Sequence, residues 1–283
     1  MQIAVSSWSF RQALYAGALQ LADVPLKVFE LDIRHVELND LFLASGPPGR
    51  LARLLGAKPA PASGPDYGRQ AVRRVQQGRL RSGTRLVCWT VETDITVETV
   101  EAQRAQRAYL ATAIEAARFL GAPIVRLTLG GQTGDRSGVG RAIDLLRSVV
   151  PVAVASGVRL AIENHDGLSS EPGVLEELVS AFRATSGSAR RPVGVCLDWR
   201  HFPPDERAAG IARLAPLAAH VHAPAAHFDD RGEETSIDYR TALAALRAAD
   251  FNEAICIEYI GEADPRQAIG AAKELIERHW EAT

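Results

Sequence analysis

PVGVCLDWRH, at residues 192–201, begins as an almost unbroken apolar run and ends in polar side chains. Such a run is typical of a strand that is buried on both faces. Asp198, and His201 three residues later, follow where that strand should reach the surface. A buried strand with polar groups at its carboxyl end is the building unit of the catalytic face of a parallel barrel. The stretch therefore predicts one strand of a barrel, and we expect other strands to end in a similar way.

Strand-like and helix-like segments alternate along the chain. The predicted strands cover residues 3–8, 33–38, 84–90, 124–129, 158–162, 192–198, 217–221 and 254–257. The predicted helices cover residues 19–31, 67–77, 97–120, 138–156, 172–184, 205–214, 237–249 and 264–280. Eight β/α units, without a glycine-rich G-x-G-x-x-G turn after the first strand, favour a (β/α)8 TIM barrel of the α/β class over a doubly wound sheet.

The length of 283 residues suits one such barrel, for which ~250 residues are typical. Residues 44–68 are rich in proline, glycine and alanine and predict a long surface loop with a short helical piece at residues 50–55. Because the alternation resumes directly after this loop, we expect a single domain over residues 1–283.

Composition limits the classes of function. The net charge of −2 predicts no general attraction to nucleic acid or to anionic lipid. The first residues lack the pattern of a secretory signal, and no apolar run approaches the ~20 residues of a membrane span. Three cysteines, Cys88, Cys196 and Cys256, lie in predicted strands and are interpreted as core residues in a reducing compartment. The sequence therefore predicts a soluble, cytoplasmic protein without a nucleic-acid or membrane partner.

Four neighbouring strands are predicted to end in Glu163, Asp198, His222 and Glu258. In a barrel these ends meet at one mouth, and three crowded carboxylates need a compensating positive charge. Taken singly, each carboxylate is as well explained by a helix cap or turn, and His222 by a satisfied core histidine. Together they predict a divalent metal site. Three oxygen donors and one imidazole make Mn²⁺ the first expectation, with Mg²⁺, Co²⁺ or Zn²⁺ as alternatives.

These strand ends resemble the signature of the xylose isomerase-like TIM barrels, and most closely the sugar phosphate isomerase/epimerase group that includes the ketose 3-epimerases. The segments that carry the resemblance are residues 162–165, 198–201, 220–222, 236–239 and 257–259. The similarity extends over the whole chain through the order of the strands. It is specific for the superfamily but does not identify the substrate.

The resemblance implies that Glu163, Asp198, His222 and Glu258 hold the metal ion and that His201 binds a substrate hydroxyl. It also implies that Glu163 and Glu258 are catalytic and move protons on opposite faces of the substrate. The metal would act as a Lewis acid on the carbonyl, and proton removal would give a cis-enediolate that the metal stabilises. The expected activity is that of a metal-dependent sugar isomerase or epimerase.

The chain departs from the ketose 3-epimerase pattern at two positions. Those enzymes have a glutamate six residues after the first ligand, where this chain has Ser169, and an arginine six residues after the histidine ligand, where it has Phe228. These differences affect the assignment to free ketoses more than they affect the metal site.

Further residues near the strand ends are predicted to line a carbohydrate pocket. Trp8 and Trp89 offer aromatic faces for a sugar ring, and His165 follows the first ligand by two residues. Arg126 is expected to bind an anionic group of the substrate or to neutralise a buried carboxylate such as Glu37.

Other functions remain open at this point. A lyase or dehydratase that acts on a keto-sugar or an inosose, or that cleaves a keto-glycoside, would use the same metal and bases. A DNA-repair endonuclease on this barrel would need further histidines at strands one to three, which are absent from the predicted ends. The oligomeric state, a homo-oligomer included, and the phosphorylation of the substrate are left open.

Overall fold

A computed structural model describes residues 1–43, 68–182, 191–262 and 264–281. Eight parallel strands form a closed barrel in chain order. They are β1 (Gln2–Ser6), β2 (His35–Asn39), β3 (Arg85–Val91), β4 (Ile124–Leu127), β5 (Arg159–Glu163), β6 (Val193–Asp198), β7 (Ala218–Ala225) and β8 (Ala254–Tyr259). Pairing of β1 with β8 closes the sheet. The predicted (β/α)8 TIM barrel is confirmed.

The α-helices of the described residues surround this barrel. They are α1 (Arg11–Tyr15), α2 (Val24–Phe29), α3 (Arg69–Ser82), α4 (Val100–Leu120), α5 (Arg136–Ala155), α6 (Pro172–Ser180), α7 (Arg207–Leu214), α8 (Tyr239–Ala248) and α9 (Pro265–Glu281). Helix α4 shows how the sequence sets such limits: Thr99 caps its N-terminus, and Gly121 ends it with a φ of 78°. None of the helices in these ranges has the length and apolar character of a membrane span.

Several predicted boundaries differ from the structure by a few residues, and the helix at residues 19–31 and the strand at residues 217–221 are two of them. The helix expected at residues 19–31 is shorter, because residues 21–23 form a 3-10 turn and α2 starts with Pro25 in its first turn. The strand expected at residues 217–221 continues to Ala225, so that His222 lies within β7 and not after it. The helical piece predicted at residues 50–55 lies outside the described residues.

The two faces of the strands carry different side chains. The outward face packs large apolar side chains against the helices. A second apolar cluster, made mostly of alanine and cysteine, lies in the barrel interior and consists of Ala4, Val87, Cys88, Ile124, Ala161, Cys196, Ala219, Ala254 and Cys256. All three cysteines are buried and unpaired, as expected for core residues. Side chains alternate between the two faces of a strand. Polar residues at the carboxyl end of a strand that lie on its inward face are therefore directed into the barrel mouth.

Candidate active site

The ends of β5 to β8 bring the predicted metal ligands together. Glu163 and Asp198 are the last residues of β5 and β6, and Asp198 pairs in register with His222. Glu258 lies one residue before the end of β8. None of the four is more than 8% exposed. The structure thus places all four predicted ligands in the barrel mouth.

The distances among these side chains suit a shared cation. His222 Nδ1 lies 2.7 Å from Glu163 Oε1 and 3.9 Å from Asp198 Oδ2. Asp198 Oδ2 is buried and accepts no hydrogen bond from the described residues, which is costly for a carboxylate oxygen without a cation. Glu258 approaches His222, since ligand atoms of these two residues and Glu37 lie within 4.8 Å of one another. The donor set and the unpartnered oxygen fit a divalent metal ion.

Cys196 is also close to this set, because its Sγ lies within 4.8 Å of ligand atoms of Glu163 and His222. Burial, the largest influence on this thiol, raises the pKa of Cys196 to about 12. A protonated thiol is a poor metal ligand, so the oxygen and nitrogen donors are the better candidates.

Glu163 and Glu258 lie in different electrostatic surroundings. Burial acts to raise the pKa of Glu163, but the Arg126 guanidinium and His222 outweigh it and hold the pKa well below its ordinary range. For Glu258, burial raises the pKa to about 7; His222 opposes this shift, and Asp198, Glu163 and Glu37 reinforce it. Glu163 is therefore held as an anion, whereas Glu258 is able to take up and release a proton near neutral pH.

Arg126 is the reason for the charge state of Glu163. Its side chain is directed into the barrel from β4, where Nη2 contacts Glu163 Oε2 and Nη1 donates a 2.7 Å hydrogen bond to Glu92 Oε1. The structure therefore realises the second expectation for Arg126, neutralisation of a buried carboxylate, although the carboxylate is Glu163 and not Glu37.

Glu37 and His220 form a buried layer beneath the ligand candidates. From the sequence, Glu37 was a candidate to line the pocket at a strand end, whereas His220 had no role assigned to it. Glu37 Oε2 lies 2.6 Å from His220 Nε2 and 3.0 Å from His222 Nε2. This contact fixes the ring of His222 so that Nδ1 is directed towards Glu163 and Asp198. A carboxylate on the outer nitrogen of a metal-ligating histidine is a common supporting arrangement. The sequence feature that could have identified His220 is its position two residues before His222, because side chains two residues apart lie on the same face of a strand.

His201 and His165 lie beside the ligand set. His201 Nε2 lies 3.7 Å from Asp198 Oδ2 and 3.1 Å from Arg200 Nη2. The rings of His165 and His201 are 4.1 Å apart. Burial lowers the pKa of His201, which favours the neutral imidazole at neutral pH.

The two tryptophans that were predicted to contact substrate, Trp8 and Trp89, have different surroundings. Trp8 is half-buried next to Tyr15 and Phe42, with ring centroids 6.5 and 6.0 Å away. Trp89 is fully buried, and its neighbours in register are Leu38 and Val125 on the outward, helix-facing side of the sheet. This position does not support the predicted contact of Trp89 with substrate, which stays a prediction. Strand β3 is apolar on both faces, so the direction of its side chains could not be predicted from the sequence.

A family model described as xylose isomerase-like TIM barrel matches residues 55–279. The chain belongs to the xylose isomerase-like TIM barrel family. A search of curated proteins by sequence found no significant match.

Solved structures with the same fold include enzymes that catalyse different reactions. D-psicose 3-epimerase from Clostridium cellulolyticum H10, solved with D-tagatose, is 12% identical with a TM-score of 0.71, over 99% of this chain and 100% of that one. IolI protein with a zinc atom is 14% identical with a TM-score of 0.71, over 100% and 99% of the two chains. The probable 3-DHS dehydratase AsbF from Bacillus anthracis is 13% identical with a TM-score of 0.65, over 98% and 99%. At these identities the likeness shows the fold alone.

The two departures from the ketose 3-epimerase pattern have structural roles in this family member. The Ser169 hydroxyl accepts a 2.9 Å hydrogen bond from the backbone N–H of His165, which orders the loop after β5. Phe228 pairs with Glu234 in an isolated bridge within the loop after β7. Neither residue supplies the charged group that the pattern has at that position.

Proposed function

We propose that this protein is a divalent-metal-dependent enzyme that removes a proton next to a carbonyl group of a sugar or sugar derivative, and that it is an isomerase or epimerase. One observation carries the proposal: Glu163, Asp198 and Glu258 lie around His222 at the ends of β5 to β8, and the buried Asp198 Oδ2 has no hydrogen-bond partner among the described residues. Membership of the family supports this choice of chemistry.

The four residues would hold a divalent cation, which when bound polarises the substrate carbonyl and acidifies the neighbouring C–H. Glu258 is the better base for that proton. It has no hydrogen bond from another described residue, and burial raises its pKa to about 7 in the metal-free protein, so no neighbouring group holds it as a fixed anion. His201, near Asp198 and neutral, is placed to orient a substrate hydroxyl.

Epimerisation needs a second group that returns a proton to the opposite face of the substrate, and we propose Glu163 for this role. Both of its carboxylate oxygens have partners, however: His222 at Oε1 and Arg126 at Oε2. Glu163 must therefore give up the Arg126 contact in order to carry a proton. Isomerisation between neighbouring carbons on one face requires Glu258 alone.

The restraint on Glu163 favours a second candidate function, a lyase that eliminates a group β to the carbonyl. Elimination starts with the same proton removal: the C–H electron pair forms a C=C bond, the bond from the β carbon to the leaving oxygen breaks, and that oxygen takes up the proton that Glu258 removed. One base is sufficient for this reaction. The structural likeness to the probable 3-DHS dehydratase AsbF is compatible with it.

The test is proton NMR in D₂O with Mn²⁺-loaded protein across ketoses, aldoses, inososes and 3-keto-glycosides, combined with mass analysis of the products. We expect one carbon-bound hydrogen next to a carbonyl to exchange in one of these classes. An isomerase or epimerase conserves the mass of the substrate, a dehydratase lowers it by one water, and a glycoside-cleaving lyase releases the aglycone. Failure of the protein to bind Mn²⁺, Co²⁺ or Zn²⁺ would remove the basis of the proposal.

We also propose the cytoplasm as the location. Support comes from the three cysteines, all of which are unpaired and buried.

A further inference from the structure

Arg200 lies in the turn that follows β6, two residues after the ligand candidate Asp198. Its backbone N–H donates a 2.6 Å hydrogen bond to Asp198 Oδ1. Its guanidinium Nη2 lies 3.1 Å from His201 Nε2, and the same ring nitrogen lies 3.7 Å from Asp198 Oδ2. The guanidinium is thus beside the candidate metal ligands and not at the outer rim of the barrel.

Arg200 differs from Arg126 and Arg11 because it has neither a carboxylate partner nor a backbone acceptor among the described residues. Arg126 is neutralised by Glu163 and Glu92. Arg11 donates hydrogen bonds to the backbone carbonyls of residues 259–261. Arg200 forms no ion pair with a described residue, and its Nε is buried without an acceptor. A partly buried guanidinium in this condition is stabilised by an anion that accepts two parallel hydrogen bonds.

The position of the guanidinium limits where that anion lies in the substrate. The imidazole of His201 lies between Arg200 Nη2 and Asp198 Oδ2 and contacts both. An anionic group of the substrate that binds Arg200 must therefore be close to the substrate atoms that the cation would bind. A carboxylate attached directly to the reacting carbonyl carbon meets this condition, whereas a phosphate at the far end of a hexose does not. We propose that Arg200 is the anion-binding residue of the site and that the substrate is a sugar acid with its carboxylate next to the reacting carbonyl. This inference rests on the proposed function, because it names the substrate class of the same site.

The contact between Arg200 and His201 links carboxylate binding to hydroxyl binding. An arginine only donates, so the hydrogen bond assigns the lone pair of His201 to Nε2 and its proton to Nδ1. When the guanidinium turns to a substrate carboxylate, Nε2 is released as an acceptor for a substrate hydroxyl. The ring of His165, centred 4.1 Å from that of His201 and tilted by 41° against it, limits the movement of His201 during this exchange.

Two sugars that differ at one carbon test the proposal. D-fructose and 2-keto-D-gluconate share their chain, but C1 is a hydroxymethyl group in the first and a carboxylate in the second. Their binding is measured by titration calorimetry with wild-type protein and Arg200→Met, each with and without Mn²⁺. We expect Arg200→Met to weaken 2-keto-D-gluconate binding roughly 10- to 100-fold and D-fructose binding less than about twofold. Arg200→Lys should restore part of the loss, because it keeps the charge without the planar fork.

Arg213→Met is the matched control, since it removes an exposed arginine paired with Glu176. A 2-keto acid chelates Mn²⁺ by itself, so a preference of the wild type for 2-keto-D-gluconate over D-fructose does not by itself support the role of Arg200. A loss of that preference in Arg200→Met does support it. An unchanged preference, or no binding of 2-keto-D-gluconate in any state, overturns the assignment of Arg200. Absence of Mn²⁺ binding overturns the proposed function instead, and the metal-free titrations then still decide on Arg200.

Discussion

The end of β5 and the end of β8 each carry a buried glutamate, but the two ends present it differently. Glu163 is 1% exposed and Glu258 is 8% exposed, so burial is similar. Glu163 contacts Arg126 and His222, which outweigh burial and lower its pKa, whereas Glu258 has no arginine partner, and burial outweighs His222 and raises its pKa to about 7. At similar burial, the partners of a carboxylate decide whether it is a fixed anion or a proton carrier.

The largest effect is expected from the removal of the proton carrier. With saturating Mn²⁺, Glu258→Gln should lower the rate of C–H exchange in D₂O by roughly 10²- to 10⁴-fold, the usual contribution of a positioned base. Glu163→Gln should lower it less if the reaction uses one face, and equally if both glutamates move protons. NMR exchange rates with any substrate found for the wild type decide between these cases. Full exchange rates in both variants with metal bound would contradict a role of either glutamate as a base.

Removal of Arg126 tests what holds Glu163 in its anionic state. Arg126→Met leaves two carboxylates without their cation, and breaking such a buried pair costs about 3–5 kcal/mol of unfolding free energy. Urea unfolding of the metal-free protein measures this loss. Arg213→Met, which breaks an exposed pair with Glu176, is the control and should leave the unfolding free energy nearly unchanged. Equal stability of the two variants would mean that Arg126 is not what distinguishes the two ends.

A smaller effect is expected beneath the site, where Glu37 supports His222. Glu37→Gln removes the charge that orients the histidine ring, and Mn²⁺ affinity should fall about 10- to 100-fold. Glu234→Gln is a matched control, because Glu234 is also buried but accepts backbone hydrogen bonds from Ser236 and Ile237 in the loop after β7. Calorimetric titration with Mn²⁺ compares the two variants. Similar affinity in both would show that Glu37 does not position the ligand.

The smallest change concerns pH. Because the pKa of Glu258 is raised to about 7, this carboxyl carries a proton below pH 7 in the metal-free protein and has to lose it when a cation binds. Mn²⁺ affinity should therefore rise by at least about tenfold per pH unit up to pH 7. His222 adds to this rise, because burial lowers its pKa but Cys196 and Glu37 outweigh burial and raise it, so that the ring also has to release a proton. Calorimetry in buffers of different ionisation enthalpy counts the released protons. The affinity is measured at intervals of about half a pH unit. A constant Mn²⁺ affinity between about pH 5.5 and 7 would place Glu258 outside the ligand set.

Local patterns in the sequence predicted the barrel and its mouth. The apolar run before Asp198, and similar runs before Glu163 and Glu258, identify buried strands with polar ends, and a closed parallel barrel brings such ends together whatever the details of its packing. The four ligand candidates were therefore accessible from sequence. The direction of the β3 side chains was not, because an apolar strand has no alternation of apolar and polar residues to set it, and the outward position of Trp89 is known only from the structure.

Only the tertiary structure decided how the site is charged. Glu37 and His220 belong to strands β2 and β7, which are not neighbours in the sheet, and they meet because the barrel closes around its interior. In the same way Arg126 reaches Glu163 from the neighbouring strand, and Arg200 remains without a counter-ion among the described residues. Electrostatic partners depend on distances of a few ångströms between residues far apart in the chain. The sequence thus determined which groups reach the mouth, and the folded barrel determined which of them are neutralised and which are available to a substrate.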